Sequence, residues 1–434
     1  MEKEIMTSAP EWLQGEQIDE EAFVDAYLAA HPMKCIGGRL FTVDGPVEEE
    51  ESIRSDIYFM IRDYKKSGAS KHAAALLDTI RTAAYSEPLP IQQDRIHVAN
   101  GTYFLGDGFV PHKEFCMNRL CVPYNEEAPE PVRWLTFLSE LLNEDDIPTL
   151  QEFMGYLLIP STRAQKMLIL IGKGGEGKSR IGCVLRSIFG DSMNTCSLQK
   201  IETNRFSRAD LEFKLLSLDD DMQMEALPKT NVIKTLVTNE GKIDIERKCI
   251  QSVQRQLYAR LMCFSNGALT AKYDNSYAFY RRQLIIHVRD KNEDRIDDPY
   301  LAEKLIGERE GIFMWMLEGL KRLIGNDYRF TVGDHSQEAA QKAALQAESI
   351  RNFMRSDSVI YDEETEASTL ELYDAYCLWC EENALRSEMY DSFSENLNGH
   401  QEEYGILASK HVQRTKRGFK GVSLSGSDSE TEGM

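Results

Sequence analysis

Residues 166–188 read KMLILIGKGGEGKSRIGCVLRSI. The opening run, KMLILI, is short and apolar and suits a buried strand. Gly172, Lys173, Gly174, Gly175, Glu176, Gly177, Lys178 and Ser179 then satisfy G-x-x-x-x-G-K-[ST] at every fixed position. After them, Ile181, Val184, Leu185 and Ile188 recur at the spacing of one helical face. Strand, glycine loop and helix are the setting a phosphate-binding loop requires. Glycine lets backbone N–H groups turn inward around an anion without a Cβ clash. The helix that follows points its positive end at the same anion. The pattern implies a nucleoside triphosphate, with Lys178 reaching its β- and γ-phosphates and Ser179 on Mg²⁺.

Working toward the C-terminus, Leu215, Leu216, Ser217 and Leu218 precede Asp219, Asp220 and Asp221, a buried strand ending in acids. A carboxylate at such a tip can hold Mg²⁺ through water, and a second can orient the attacking water. Asp219 is assigned to the metal and Asp220 to the water, with a register one residue further, toward Asp221, left open. Residues 261–266 (LMCFSN) form another apolar strand, tipped by Asn266. That Asn suits a hydrogen bond to the γ-phosphate, or simply a strand-end turn. Arg281 and Arg282 precede a third strand at Leu284, Ile285 and Ile286. An arginine there suits a finger that stabilises charge on a neighbouring subunit's nucleotide, or a surface ion pair. Between acids and Asn, residues 242–250 (KIDIERKCI) alternate as in a hairpin. Lys242, Arg247 and Lys248 would then contact a phosphate backbone or merely face solvent.

The whole chain has 434 residues, a hydrophobic content of 42% and a charged content of 28%, values of a soluble globular protein with room for two or three domains. No apolar run is long enough for a membrane span, and the acidic start MEKEIMTSAPEWLQG does not read as a secretory signal. The nine cysteines are scattered, and Cys377 and Cys380 lie on a helical pattern as packed thiols. Reduced thiols fit a cytoplasmic protein. A net charge of -21 argues against a protein that coats nucleic acid, but not against a ring with a basic lining.

The fold expected is α/β, a P-loop core with a parallel sheet, flanked by a mostly helical α+β domain before it and a small helical domain ending in a hairpin after it. Boundaries are placed at 1–145, 146–330, a helical linker 331–355, 356–424, and a disordered acidic tail 425–434 (SGSDSETEGM). In the first segment, residues 35–47 and 95–110 read as β-rich, the latter with an Asn100-Gly101 turn. Near the end, Lys410, Arg414, Lys416, Arg417 and Lys420 crowd within eleven residues beside Phe419. In an acidic chain that density suits a wing on duplex phosphates, with a solvated hairpin as the other reading.

The order of these motifs resembles superfamily 3 helicases, and within them the primase-helicases of phages and plasmids. Residues 307–312 (GEREGI) with Trp315, Glu318 and Gly319 look like that family's helix after the ATPase. Residues 96–101, 134–138 and 150–156 are similar to its poxvirus-primase-like region, and 372–376 and 418–422 to its C-terminal winged helix. The resemblance implies an AAA+-like ATPase, a homo-oligomeric ring, a hexamer, and ATP-driven travel along single-stranded DNA in replication of a phage, plasmid or mobile element. It implies that Lys178, Ser179, Asp219, Asp220 and Asn266 come from one subunit and Arg281 or Arg282 from the next. An initiator or helicase loader, and an ATP-gated DNA-binding regulator, are the alternatives. The chain departs from the family at Glu176, where members often carry Asn, and at Asn239-Glu240-Gly241 before the hairpin. No primase domain is expected, and so no primer synthesis.

Overall fold

The computed structural model describes residues 10–425 except 16, 66, 223–226, 228, 268, 270–276 and 292–296. The acidic tail from residue 426 onward lies outside the described residues.

At the centre is a five-stranded parallel sheet. Numbered in chain order, its strands are β1 (Met167–Ile171), β2 (Met193–Thr195), β3 (Leu216–Met222), β4 (Arg260–Ser265) and β5 (Gln283–His287). They run side by side as β2-β3-β4-β1-β5. Every residue of β1 and β4 is buried, which explains why these strands read as continuous apolar runs rather than alternating ones. Leu168, Leu170, Leu216, Leu218, Met262 and Phe264 pack on one face against Ile181, Val184, Leu185 and Ile188. Ile169, Ile171, Leu261, Cys263 and Ile285 pack on the other, with Ile201, Ile233 and Leu236. Each such Leu or Ile contributes about 1.5–3 kcal/mol by leaving water. The apolar spacing foreseen after the glycine loop is therefore the inner stripe of helix Lys178–Phe189.

Helices Ile147–Tyr156 and Arg309–Gly325 cross behind this core with backbone against backbone. A Cβ on Gly155 would lie 2.3 Å from the Met316 carbonyl oxygen, and one on Gly319 would lie 2.3 Å from that of Gln151. The crossing is pinned by the fully buried Glu152. It accepts from Arg322 Nε at 2.6 Å, from the Thr331 N–H at 2.7 Å and from the Thr331 hydroxyl at 2.8 Å.

The N-terminal region has its own core, Phe23, Leu40, Ile57, Leu76 and Ile80 among others, built on helices Glu20–Ala30, Glu50–Ile61 and Ala69–Ala83. In the hairpin Arg95–Val98 and Gly101–Phe104, Val98 pairs with Gly101, so Ala99 and Asn100 make the turn. The expected Asn100-Gly101 turn is thus one residue out of register. The stretch expected as a linker holds helices Asp334–Ala347 and Ser349–Met354, and the first packs along β5. The C-terminal region joins strands Glu366–Ser368, Lys416–Lys420 and Leu407–Val412, in that spatial order, to helices Thr369–Glu382 and Tyr390–Gly399. Ser368 and Glu371 form a reciprocal capping box at the start of the longer helix. Among the described residues, no helix is long and apolar enough to cross a membrane.

Candidate functional site

β1 delivers the chain into the glycine loop at the C-terminal rim of the sheet. Gly174, Gly175 and Gly177 adopt φ of +108°, +83° and +121°, angles that only glycine takes without strain. Gly177 caps helix Lys178–Phe189 without any side-chain bond to its first N–H groups. Those donors and the helix dipole make this end an anion seat by construction. Gly172 lies under the loop, where a Cβ would meet Val288 Cγ2 at 2.3 Å and both Glu176 Oε1 and Lys178 Nζ at 2.8 Å.

The loop's two central charged side chains turn inward. Lys178 is 8% exposed and Glu176 3%. Lys178 Nζ donates to Glu176 Oε2 at 2.9 Å, and the Gly174 N–H donates to Oε1 at 2.7 Å. Burial pushes the Glu176 carboxyl up, but Lys178 and the loop N–H groups outweigh it and hold the carboxyl below its ordinary range. Lys173 instead points out, to Asp290 Oδ2 at 2.8 Å. Ser179 is exposed on the first helical turn.

The acids of β3 separate by face. The Asp219 side chain is buried, 4% exposed, and its Oδ2 accepts the Leu198 N–H at 2.9 Å, at the start of helix Leu198–Thr203. Burial raises its pKa, the Leu198 and Asp221 N–H groups oppose the rise, and the neighbouring acids add to it. Asp220 points the other way, with Oδ1 3.9 Å from where a Cβ on Gly182 would sit. Gly182 lies three residues after Ser179 on the same helical face. The expectation that Asp219 faces the metal is thereby corrected. Strand alternation turns it to the opposite face, and the acid beside the glycine loop is Asp220. A bulge between Asp219 and Met222 leaves Asp220 and Asp221 both exposed at the rim.

Asn266 follows directly on β4. The Gly172 N–H donates to the Ser265 carbonyl at 3.0 Å, so exposed Asn266 stands beside the loop's first residue. Arg281 and Arg282 are at the opposite rim. The Met167 N–H donates to the Arg282 carbonyl at 2.9 Å, at the start of β1 and β5. The four residue steps of β1 set them about 13 Å from the glycine loop, so the arginines do not join the loop of their own chain.

The hairpin is present, Ile243–Arg247 against Ile250–Arg255, with Lys248 and Cys249 as its turn. Lys242 and Lys248 are exposed. Arg247 is turned back: it bonds Glu212, as does Arg255 at 3.4 Å. These three side chains, with Arg39, Phe213 and Tyr258, line a cavity of about 640 Å³ under the hairpin. Arg247, expected to face a phosphate or solvent, is thus a partly exposed cation already paired with Glu212.

In the C-terminal strands and the turn between the last two, Lys410, Arg414, Arg417 and Lys420 are exposed. Lys416 Nζ is held by Glu371 Oε1 at 2.9 Å. Phe419 is 1% exposed and belongs to the local core, so it is not a stacking surface beside those cations.

Residues 170–282 match a family of unknown function, DUF5906. That interval runs from the end of β1 through Arg282 and so contains the loop, the acids, the hairpin and Asn266. No curated protein matches the chain. Among solved structures, the chain is similar to the A form apo structure of the NrS-1 C-terminal region, at 12% identity over 92% of this chain and 98% of that one, with a TM-score of 0.49. A second apo structure of that region gives 12% identity over 89% and 93%, with a TM-score of 0.47.

Proposed function

We propose that this chain is an ATP-driven DNA helicase, a replication motor of a phage, plasmid or mobile element that works as a homo-oligomeric ring. The observation that supports this most is the rim of the sheet. There the glycine loop, the uncapped helix start, Lys178, Ser179, Asp220 and Asn266 converge at the C-terminal ends of adjacent strands.

In this reading the sheet is a P-loop, AAA+-like core and residues 356–424 are a winged-helix module on DNA. Loop N–H groups and Lys178 bind the β- and γ-phosphates of ATP. Ser179 and Asp220 would hold Mg²⁺, which needs only one or two protein oxygens beside phosphate and water and would neutralise charge between the phosphates. Asp221, the next exposed acid, orients and deprotonates the attacking water, and Asn266 hydrogen-bonds the γ-phosphate. Arg281 or Arg282 completes the site of the neighbouring subunit, in keeping with their place at the far rim of their own sheet. Lys242 and Lys248 contact the single strand, and Lys410, Arg414, Arg417 and Lys420 contact duplex phosphates.

The test is ATP-dependent unwinding of a forked duplex by the wild type and by Lys178→Ala. Strand separation that the variant loses is the expected result. DNA-stimulated hydrolysis without separation would favour an initiator or loader. No hydrolysis under any condition would overturn both enzyme readings and leave an ATP-gated DNA-binding regulator.

A further inference from the structure

A phosphate group entering the glycine loop needs inward N–H donors and the Lys178 ammonium. In this chain the Gly174 N–H and Lys178 Nζ are both already bonded, to the two oxygens of one carboxylate, Glu176, at 2.7 and 2.9 Å. That carboxylate is 3% exposed and lies over Gly172, inside the loop rather than on its outer surface. A carboxylate and a phosphate edge present similar paired oxygens to such donors. We propose that Glu176 is an internal anion seated where a nucleotide phosphate binds, and that it sets nucleotide affinity by having to leave before phosphate enters. This inference rests on the reading of the loop as an ATP site.

Three features of the geometry sustain it. Glu176 belongs to the loop, so its effective concentration at the seat is high and independent of ligand. The lowered pKa of its carboxyl keeps it ionised at neutral pH, so the competitor is charged. The positive-φ positions of the loop are Gly174, Gly175 and Gly177, and residue 176 is not among them, so a neutral side chain there is compatible with the same backbone. The outward swing of Glu176 also frees Lys178, whose ammonium is otherwise neutralised before any ligand arrives.

The experiment measures binding of Mg²⁺-ATP and of inorganic tripolyphosphate by calorimetry to the full chain, comparing wild type, Glu176→Gln, Glu176→Ala and Lys178→Ala. Tripolyphosphate isolates the phosphate seat from contacts to base and sugar. Both Glu176 variants are expected to bind each probe about tenfold tighter or more, the loss of one charge-assisted contact that ligand must displace. Wild-type binding that needs Lys178, together with equal or weaker binding by both Glu176 variants, overturns the inference and leaves the ATP site intact. Failure of the wild type and every variant alike to bind either probe overturns the ATP site and the inference together. Should Glu176→Gln not fold, Glu176→Ala and the rise in melting temperature on adding tripolyphosphate carry the same comparison.

Discussion

Asp219→Asn and Asp220→Asn, made singly, are nearly the same chemical change at adjacent positions, yet the two faces of β3 give them opposite consequences. Asp219 is buried and its acidity is weakened chiefly by burial. A carboxyl whose folded pKa is raised contributes stability below its unfolded pKa and loses it as pH rises through the folded value. At neutral pH the ionised Asp219 is thus a cost that a neutral amide relieves, while the amide oxygen still accepts the Leu198 N–H. Asp219→Asn should melt at or above the wild-type temperature and keep ATP turnover within about threefold. Asp219→Ala discards the acceptor as well, and losing a cap-like bond costs about 1 kcal/mol, or about 2–4 °C for a domain of this size. Asp220 is exposed, so Asp220→Asn should leave the melting temperature unchanged. If Asp220 holds Mg²⁺ as proposed, removing its charge should lower turnover by about 10²–10³-fold, or about 2.7–4 kcal/mol. The assay is steady-state phosphate release with DNA present, beside thermal melts of the same samples. Loss of turnover in Asp219→Asn with retention in Asp220→Asn would refute the assignment of faces.

Other perturbations test separate parts. Glu371 is raised by burial but pulled down further by Lys416, Ser368 and Gln413, to about 2. Its stabilisation is present above the unfolded value of 4.5 and lost as pH falls toward 2. Melts between those limits should show a drop in the C-terminal transition that Glu371→Gln lacks, kept under about 1 kcal/mol by solvent screening of this partly exposed pair. Replacing Lys410, Arg414, Arg417 and Lys420 together by Ala should lower the log–log salt slope of duplex binding by about 3–4, and an unchanged slope would remove the wing from the DNA contact. Arg281→Ala should bind ATP like wild type but turn it over poorly, and mixing it with Lys178→Ala should restore part of the activity through composite sites. Full activity of Arg281→Ala alone would exclude that arginine as the finger.

The centre of the fold was legible because its signals are local. A fully buried parallel strand reads as an unbroken apolar run, and the glycine loop needs its residue types in fixed order. What escaped depends on contacts distant in sequence or on parity. The acids of β3 look equivalent in a line of text, and only alternation and the bulge before Met222 separate Asp219 from Asp220. Arg247 reads as a free cation until Glu212, 35 residues earlier, folds beneath it. The polar composition of 334–347 suggested a linker, but its backbone lies along β5. Phe419 seemed to accompany the basic cluster, yet strand pairing with Ala367 and Ala408 turns it into the core. Glu176 carried a signal in its departure from Asn, although nothing in the sequence gave its direction.

The crossing of Ile147–Tyr156 with Arg309–Gly325 joins a segment that precedes the sheet to one that follows it, with glycine on both sides and the Glu152–Arg322 pair as a pin. Two helices so close have no side-chain layer in which to slide. A rotation of either helix would therefore have to carry the other with it, like a crank welded to its shaft. A single methyl group at Gly155 would lie 2.3 Å from the Met316 carbonyl oxygen and force the two helices apart.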